Sequence, residues 1–335
     1  MKLALNLLFH QDWVAYSIWD MFYPKYYGSY KTGSNPDRSF SINTWYLYNC
    51  RFTSLTSRVI NLSKPDISFL HSGCIFNSCS RTSKGGCIFV FGASDVVQHR
   101  CCIINCKSKD QAQFSWSYVN ERMKLFNYLL ESTITQCGDT KSNYTANFLY
   151  GDIVITSTNF SKNQMNKMSV YSVFKSYSGS IANLSNIQGN KASEYVCLDH
   201  SSQSIHTLKY CNIIENSQSG SLYGIIYLYQ GKLTIDGCSI LRNTGTVFGN
   251  NEGTFTLKNS FVDQTIPKAV NYTSNNTNKY TTFKHAHLST YLCMAGRTFT
   301  NYPKKVVISF DRVQKKKRKL RRKIIFPLLT TLGKK

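Results

Sequence analysis

The chain has 335 residues, of which 42% are hydrophobic and 14% aromatic. This is enough apolar material for a large folded core, and it argues against wholesale disorder. The formal net charge is +23, but residues 304–335 hold 13 basic residues and one acid. The body of the chain is therefore only mildly basic, and no run of 18 apolar residues predicts a membrane-spanning helix.

Residues 1–45 contain Trp13, Trp19 and many Tyr and Phe residues. A short apolar run opens the segment, but His10 and Asp12 follow it without a cleavage site, so a secretion signal is not predicted. We interpret 1–45 as an N-terminal cap for the repeat array that follows, because such arrays must cover the unpaired strand edge at each end. A platform for an aromatic ligand is the alternative.

Residues 46–268 contain a repeat, and its clearest copy is 235–243. That copy reads as an apolar residue, two variable positions, a small residue, one variable position, an apolar residue, two variable positions and Asn. The small residues, which we call anchors, recur every 22–31 residues. The nine anchors are Cys50, Cys74, Cys101, Ser132, Thr158, Ser185, Cys211, Cys238 and Ser260.

Each period offers three short strand-like segments, whereas the dense Leu pattern of leucine-rich repeats is missing. The spacing predicts an all-β, single-stranded, right-handed parallel β-helix, that is, a solenoid of about nine coils of 22–31 residues. Equivalent residues of successive coils would then stack at roughly 4.8 Å, with their apolar side chains in a shared lumen.

Two columns of equivalent residues make the prediction specific. Asn163, Asn190, Asn216 and Asn243 occupy one position in four consecutive coils, which predicts a structural Asn ladder at a tight turn. Asn tolerates the left-handed backbone angles expected there, and its amide can hydrogen-bond the coils above and below. Cys79, Cys106 and Cys137 hold the same position in the three coils before. Because Cys alternates with Ser, Thr and Asn, we interpret these cysteines as small buried residues. No CxxC or Cys/His spacing predicts a metal site.

Gly85-Gly86-Cys87-Ile88 and Phe160-Ser-Lys-Asn163 resemble the repeat motifs of polymorphic outer-membrane-protein-like surface proteins of bacterial and protist parasites. The resemblance implies a pectin-lyase-like β-helix, a surface or secreted location, and a role in adhesion or shielding. Host or matrix glycans or proteins are the partners that it implies. The chain departs from that family in having one Gly-Gly motif and no clear signal peptide or membrane anchor.

Six sequons would matter if the protein is secreted, namely those at Asn61, Asn143, Asn159, Asn183, Asn271 and Asn275. Residues 269–303 are interpreted as a terminal coil or loop, and residues 304–335 as a polybasic, disordered tail. Within that tail we expect a solvated basic run, with binding to an anionic surface or nucleic acid as the alternative. The run consists of Lys315, Lys316, Lys317, Arg318, Lys319, Arg321, Arg322 and Lys323.

Many β-helices cleave polysaccharides with carboxylates stacked on adjacent coils, and a polysaccharide-active enzyme is one alternative function. Here 12 Asp and five Glu residues are scattered. Asp95 and Asp152 share a position, but the coil between them does not continue the column. His99 and His206 are predicted to lie outward or at bends. No catalytic residue, cofactor or metal is therefore predicted, and a non-catalytic surface or secreted protein is favoured over the enzyme and over an intracellular protein with a basic tail.

Overall fold

The computed structural model describes residues 15–23, 30–37, 43–93, 95–121, 124–138, 142–193, 198–220, 223–266, 270–272 and 293. Strand accounts for 56% of the described residues and helix for 3%, and every strand pairing among them is parallel. The predicted all-β parallel solenoid is confirmed, with about seven turns instead of nine.

Each coil passes in turn through three faces, which we call A, B and C. Face A is built from β3 (Ile60–Leu62), β7 (Ile88–Ala93), β11 (Ser115–Val119), β14 (Tyr144–Leu149), β18 (Met168–Phe174), the first parts of β22 (Leu198–Lys209) and β25 (Ile226–Asp236), and β27 (Phe248–Asn250).

Face B is built from the first part of β2 (Thr44–Thr53), β4 (Ser68–Ser72), β8 (Asp95–His99), β12 (Phe126–Leu130), β15 (Asp152–Thr156), β19 (Ser180–Asn183), the last parts of β22 and β25, β28 (Gly253–Lys258) and β30 (Val270–Tyr272). Face C is built from the last part of β2, β5 (Ile75–Asn77), β9 (Cys102–Ile104), β13 (Thr133–Thr135), β16 (Asn159–Ser161), β20 (Asn186–Gln188), β23 (Asn212–Ile214), β26 (Ser239–Leu241) and β29 (Phe261–Val262).

Short strands continue the coils beyond face C. They are β6 (Ser80–Arg81) with β10 (Lys107–Ser108), and β17 (Gln164–Met165), β21 (Lys191–Ala192) and β24 (Ser217–Gln218). The remaining strand, β1 (Lys31–Ser34), pairs with β2 at the N-terminal edge. A short helix covers residues 15–19, and no helix in the described part of the chain has the length and hydropathy needed to cross a bilayer.

Two left-handed residues bracket face C in the first eight repeat copies. One precedes the anchor and the other lies five residues later, as in the pairs Arg100 and Asn105 or Tyr210 and Glu215. The anchor side chain then donates to the carbonyl two residues before it, for example from Ser132 Oγ to Leu130 O at 2.8 Å. The anchor is therefore small because its thiol or hydroxyl satisfies a carbonyl at a bend of fixed shape.

The lumen is filled by side chains that alternate inward along each strand, including Phe52, Phe76 and Ile134. The rings of Phe52 and Phe76, in adjacent coils, stack at 5.2 Å. Burying such side chains contributes about 1.5–3 kcal/mol each, and this burial holds the coils together.

The segment predicted as a cap contributes in two places. The strand β1 extends the stack at its first edge. Trp19 and Tyr23 instead lie on the flank, against the outward side chains of face B, where Trp19 packs on Tyr46 at 5.5 Å and Tyr23 Oη donates to Phe69 O at 3.2 Å. The basic run at 315–323, Asn275, residues 304–335 and most of residues 269–303 lie outside the described residues.

Candidate functional site

The Asn column forms a continuous buried hydrogen-bonded ladder. Asn163 Nδ2 donates to Asn190 Oδ1 at 3.0 Å, and the same contact links Asn190 to Asn216 and Asn216 to Asn243. Each Oδ1 also accepts from the backbone N–H of the preceding coil, and each Nδ2 donates to a carbonyl there. The ladder satisfies backbone groups inside the solenoid, so its role is structural.

The expected left-handed angles do not lie at these Asn residues. They lie one residue earlier, at Lys162, Gly189, Glu215 and Arg242. That expectation is corrected: the Asn side chain points inward after the bend and bonds the backbone, and it is not chosen for its own backbone angle.

A Cys/His/amide chain lies in the lumen at the level of β4 and β8. Cys101 Sγ is 2.8 Å from His71 Nδ1, and His71 Nε2 is 3.3 Å from Gln98 Oε1. The order of groups resembles a thiol nucleophile with its base, but all three side chains are fully buried. Burial lowers the pKa of His71 to about 3 and raises that of Cys101, so both groups stay neutral. A neutral, sealed pair cannot attack a substrate from solvent.

His99 and His206 are also buried, at 1% and 0% exposure, so the expected surface exposure was wrong for both and the outward direction was wrong for His206. His206 aligns with the core residue Leu233 of the next coil and bonds Ser180 Oγ through Nδ1 at 2.6 Å. His99 points out of face B but is covered by Phe22, with ring centroids 5.6 Å apart. The register of His206-x-Leu208 against Leu233-x-Ile235 was the signal that could have placed it inside.

The two carboxylates that share a column do not face each other. Phe126 aligns with Asp152 and stands between it and Asp95, and its backbone N–H donates to Asp95 Oδ1 at 2.8 Å. Asp152 instead pairs with Lys124, 3.8 Å away. Both carboxylates therefore have local structural partners.

The sequons differ in accessibility. Asn61 is exposed, and Asn143 and Asn183 are partly exposed. Asn159 is 4% exposed, and its Oδ1 accepts from Asn186 Nδ2 at 3.0 Å. A glycan on Asn159 Nδ2 would have to displace the groups that bury this side chain, whereas Asn61 has room for one; the side chain of Asn271 is outside the described set.

A disulfide joins Cys102 to Cys293, 191 residues apart in sequence. Cys102 points outward from face C, next to an anchor, and was not singled out from the sequence. The nine other described cysteines are free and buried. The disulfide fixes Cys293 against the third and fourth coils, where Cys293 also lies 3.9 Å from Thr133 O.

An outward column of aromatic rings crosses four coils at the end of face A. We call Phe91, Tyr118, Tyr150 and Phe174 the aromatic stripe. The centroid distances between successive rings are 4.7, 5.0 and 6.3 Å. Phe91 is 51% exposed, and its ring lies 4.7 Å from that of Tyr118 and 6.4 Å from that of Phe89. Tyr177, which is 59% exposed, lies three residues after Phe174, and its backbone N–H donates to Gly151 O at 2.8 Å.

A second outward column on face A is shielded by cations. The guanidinium of Arg58 lies 4.0 Å from the centroid of Phe89, and Lys84 Nζ lies 4.9 Å from that of Trp116. These contacts cover the inner column, whereas in the stripe Phe91 is exposed and Tyr118, Tyr150 and Phe174 are partly exposed. Exposed aromatic groups that are contiguous mark interaction sites more often than scattered ones do.

Charges beside the stripe have both signs. Burial and a hydrogen bond with Glu121 raise the pKa of Tyr150, so its phenol stays protonated and able to donate. Lys175 Nζ lies 5.4 Å from the Phe174 ring, and Lys124 is paired with Asp152. The surface therefore offers flat apolar rings, hydrogen-bonding groups and charges of both signs.

The stripe was not anticipated, although the sequence held a signal for it. In 88–91 and 115–118 the residues between the inward Ile, Val and Ser positions are Phe, Phe, Trp and Tyr. On an alternating strand these are the outward positions, where polar residues are usual. Comparison of the chain with protein-family models, curated proteins and solved structures finds no match, so the site is interpreted from its chemistry.

Proposed function

We propose that this protein is a non-catalytic binding solenoid, secreted or displayed at a cell surface, that holds glycans along the aromatic stripe. The observation that carries the proposal is the stripe itself. Three coil steps at roughly 4.8 Å give it a length of about 14 Å, enough for a short run of sugar rings. The apolar face of a sugar ring packs on an aromatic ring, and its hydroxyls bond neighbouring polar groups.

The mixed charge beside the stripe favours a glycan over a nucleic acid. A sequence-independent nucleic-acid surface needs a positive groove along the backbone as well as stacking rings. Here Lys124 is paired with Asp152, and Glu121 contacts Tyr150. The polymer that fits is weakly charged or neutral.

The Cys102–Cys293 disulfide supports the location. Structural disulfides persist in oxidising compartments and are rare in the cytosol. The exposed sequon at Asn61 suits the same compartment. Both features agree with the parasite-surface resemblance of the Gly85-Gly86 motif, and a role in adhesion or shielding follows as part of the proposal.

Glycan binding is tested with the purified full-length chain on an array of neutral and acidic glycans, followed by calorimetry on the best ligand. Tyr118→Ser and Phe91→Ser should each weaken binding about tenfold, equivalent to about 1.4 kcal/mol. Tyr210→Asn is the matched control, because Tyr210 is an exposed aromatic residue at a left-handed corner away from the stripe. Its binding should equal that of the native chain.

Equal losses in all three variants, or no glycan bound, would refute the assignment. Tighter binding to single-stranded oligothymidylate than to any glycan would refute the ligand class. Surface biotinylation of intact cells tests the location separately. The protein should be in the labelled or secreted pool, and its confinement to the unlabelled pool would refute the proposed surface or secreted location.

A further inference from the structure

Three buried cysteine thiols converge in the lumen between the second and third coils. The Sγ atoms of Cys79, Cys87 and Cys106 all lie within 4.8 Å of one another. Sulfurs bound to a trigonal metal at roughly 2.3 Å lie about 4 Å apart, so small side-chain movements would bring the three into a coordination sphere. They belong neither to the aromatic stripe nor to the disulfide.

The fold brings them together from two directions. Cys79 and Cys106 stack because β6 and β10 pair in register immediately after them, Ser80 with Lys107. Cys87 approaches from the side, at the start of β7. Its position is set by Gly86, where a Cβ would lie 2.3 Å from Gln113 O, so a side chain there would push the corner away.

The position of Cys87 is otherwise filled by larger groups. It aligns with Val59 in the preceding coil and Phe114 in the following coil. The Cys79 position is likewise Leu55 one coil earlier. The other repeats therefore show that hydrocarbon side chains fit at these positions. In this pair of coils the positions instead hold three thiols, and the three sulfur atoms lie close together.

We propose that Cys79, Cys87 and Cys106 form a binding site for a soft, thiophilic metal ion, monovalent copper. Zinc favours four ligands, and among the described residues the cluster supplies three, in an apolar surrounding that includes Phe76 and Phe114. Soft thiolates select Cu(I), which is satisfied by three sulfurs. Each Cu–S bond that replaces an S–H bond releases a proton to solvent, and copper stays monovalent.

Without a metal ion the three cysteines are neutral thiols. Cys79 Sγ donates to Phe52 O at 3.7 Å and Cys106 Sγ to Phe76 O at 3.6 Å. Hydrogen bonding with Cys106 and burial raise the pKa of Cys79 to about 12, and burial raises that of Cys87. Because the site is sealed and binding releases protons, we expect the ion to enter during folding and its affinity to rise with pH.

The test uses the full chain, refolded without oxygen in the presence of Cu(I) buffered by bicinchoninate. The native chain should retain one copper per chain, and X-ray absorption should show sulfur neighbours near the roughly 2.3 Å typical of metal–thiolate bonds. Cys87→Val, which copies Val59, should lose the copper. Cys238→Ser, which copies the other anchors Ser185 and Ser260, removes a buried thiol elsewhere and should keep it.

Cys79→Leu, which copies Leu55, is a second variant in case Cys87→Val fails to fold, and circular dichroism checks both. Copper retention equal in all folded variants would overturn the site. So would a native chain that loses all its copper to bicinchoninate, or a peptide map showing a disulfide between Cys79 and Cys106.

Discussion

Asn163 and Asn190 lie one above the other in adjacent coils, joined by a hydrogen bond of 3.0 Å between Nδ2 and Oδ1. The same Oδ1 accepts the backbone N–H of Asn163 at 3.0 Å. Each Asn side chain therefore supplies to the neighbouring coil the hydrogen bonds that a paired strand supplies elsewhere. It does so at a corner where the pairing of strands is interrupted. The contact stabilises the bend and fixes the register of the coils.

Asn190→Ala should lower the free energy of unfolding by about 2–4 kcal/mol, because it removes the acceptor of the buried Asn163 N–H and a donor to the Phe160 carbonyl. Asn190→Cys should cost less, since Cys137 occupies the same column. Urea unfolding followed by circular dichroism measures both. If the alanine variant were as stable as the native chain, the ladder would not be a source of stability.

Gly249→Ala should destabilise the fold by more than about 3 kcal/mol, because its Cβ would lie 1.0 Å from Tyr223 O. Gly189→Ala is the control. It has a left-handed φ of 65°, but its column holds Lys162 and Glu215 at similar angles, and the nearest atom to a Cβ is 3.9 Å away. We expect it to cost about 1–2 kcal/mol. Thermal melts that rank the two variants in the opposite order would contradict the packing described at Gly249.

Stability should fall as the pH drops below about 6.5. Burial lowers the folded-state pKa of His71 to about 3, and it also lowers the pKa of His99 and His200. At a pH between the folded-state and unfolded-state pKa values, only the unfolded chain binds protons at these histidines, so acid favours unfolding. Each imidazole contributes a loss of about 1.4 kcal/mol per pH unit once the pH is well below 6.5.

Urea unfolding at pH 7.5, 6.5 and 5.5 measures the slope of the free energy of unfolding against pH. His71→Gln, which copies Gln98 in the same column, should reduce this slope between pH 6.5 and 5.5 by the equivalent of about one proton bound on unfolding. A slope unchanged by this substitution would show that His71 protonates freely in the folded chain.

Cys293→Ser should lower stability by about 2–5 kcal/mol, since the disulfide closes a loop of 191 residues in the unfolded chain. A non-reducing peptide map should recover one crosslinked pair, Cys102 with Cys293, and the anchor cysteines as free thiols. Cys211→Ser, at an anchor, serves as the matched thiol removal and should leave the map unchanged. Recovery of a bridge between two anchors would contradict the assignment.

The repeat was readable from sequence because the inward positions are restricted by volume and by the corner geometry. The alternation of Leu233 and Ile235, and the recurrence of Asn five residues after an anchor, both follow from these restrictions. Outward positions carry no such restriction. Three features depend on which coils lie side by side: the stripe, the disulfide to Cys293 and the contact between Cys87 and Cys79. Predicting them requires knowledge of the register of every coil, which the sequence pattern does not give.

Polar residues inside the lumen misled the sequence prediction for a related reason. His206 looks like a surface residue by type, yet its column partners are Ser180 and Leu233. Its burial is tolerated because Ser180 Oγ satisfies Nδ1. Composition alone cannot show that a neighbouring coil supplies the partner.

The constant five-residue interval between the two left-handed corners has an evolutionary consequence. Coils differ in length, but face C and its corners do not, so insertions fall at the other two bends. One of these is the passage from face A to face B, for example between β11 and β12, immediately beside the stripe. Insertions at this bend leave the pairing of the strands intact. A solenoid of this kind can therefore change its binding specificity while its coils stay the same.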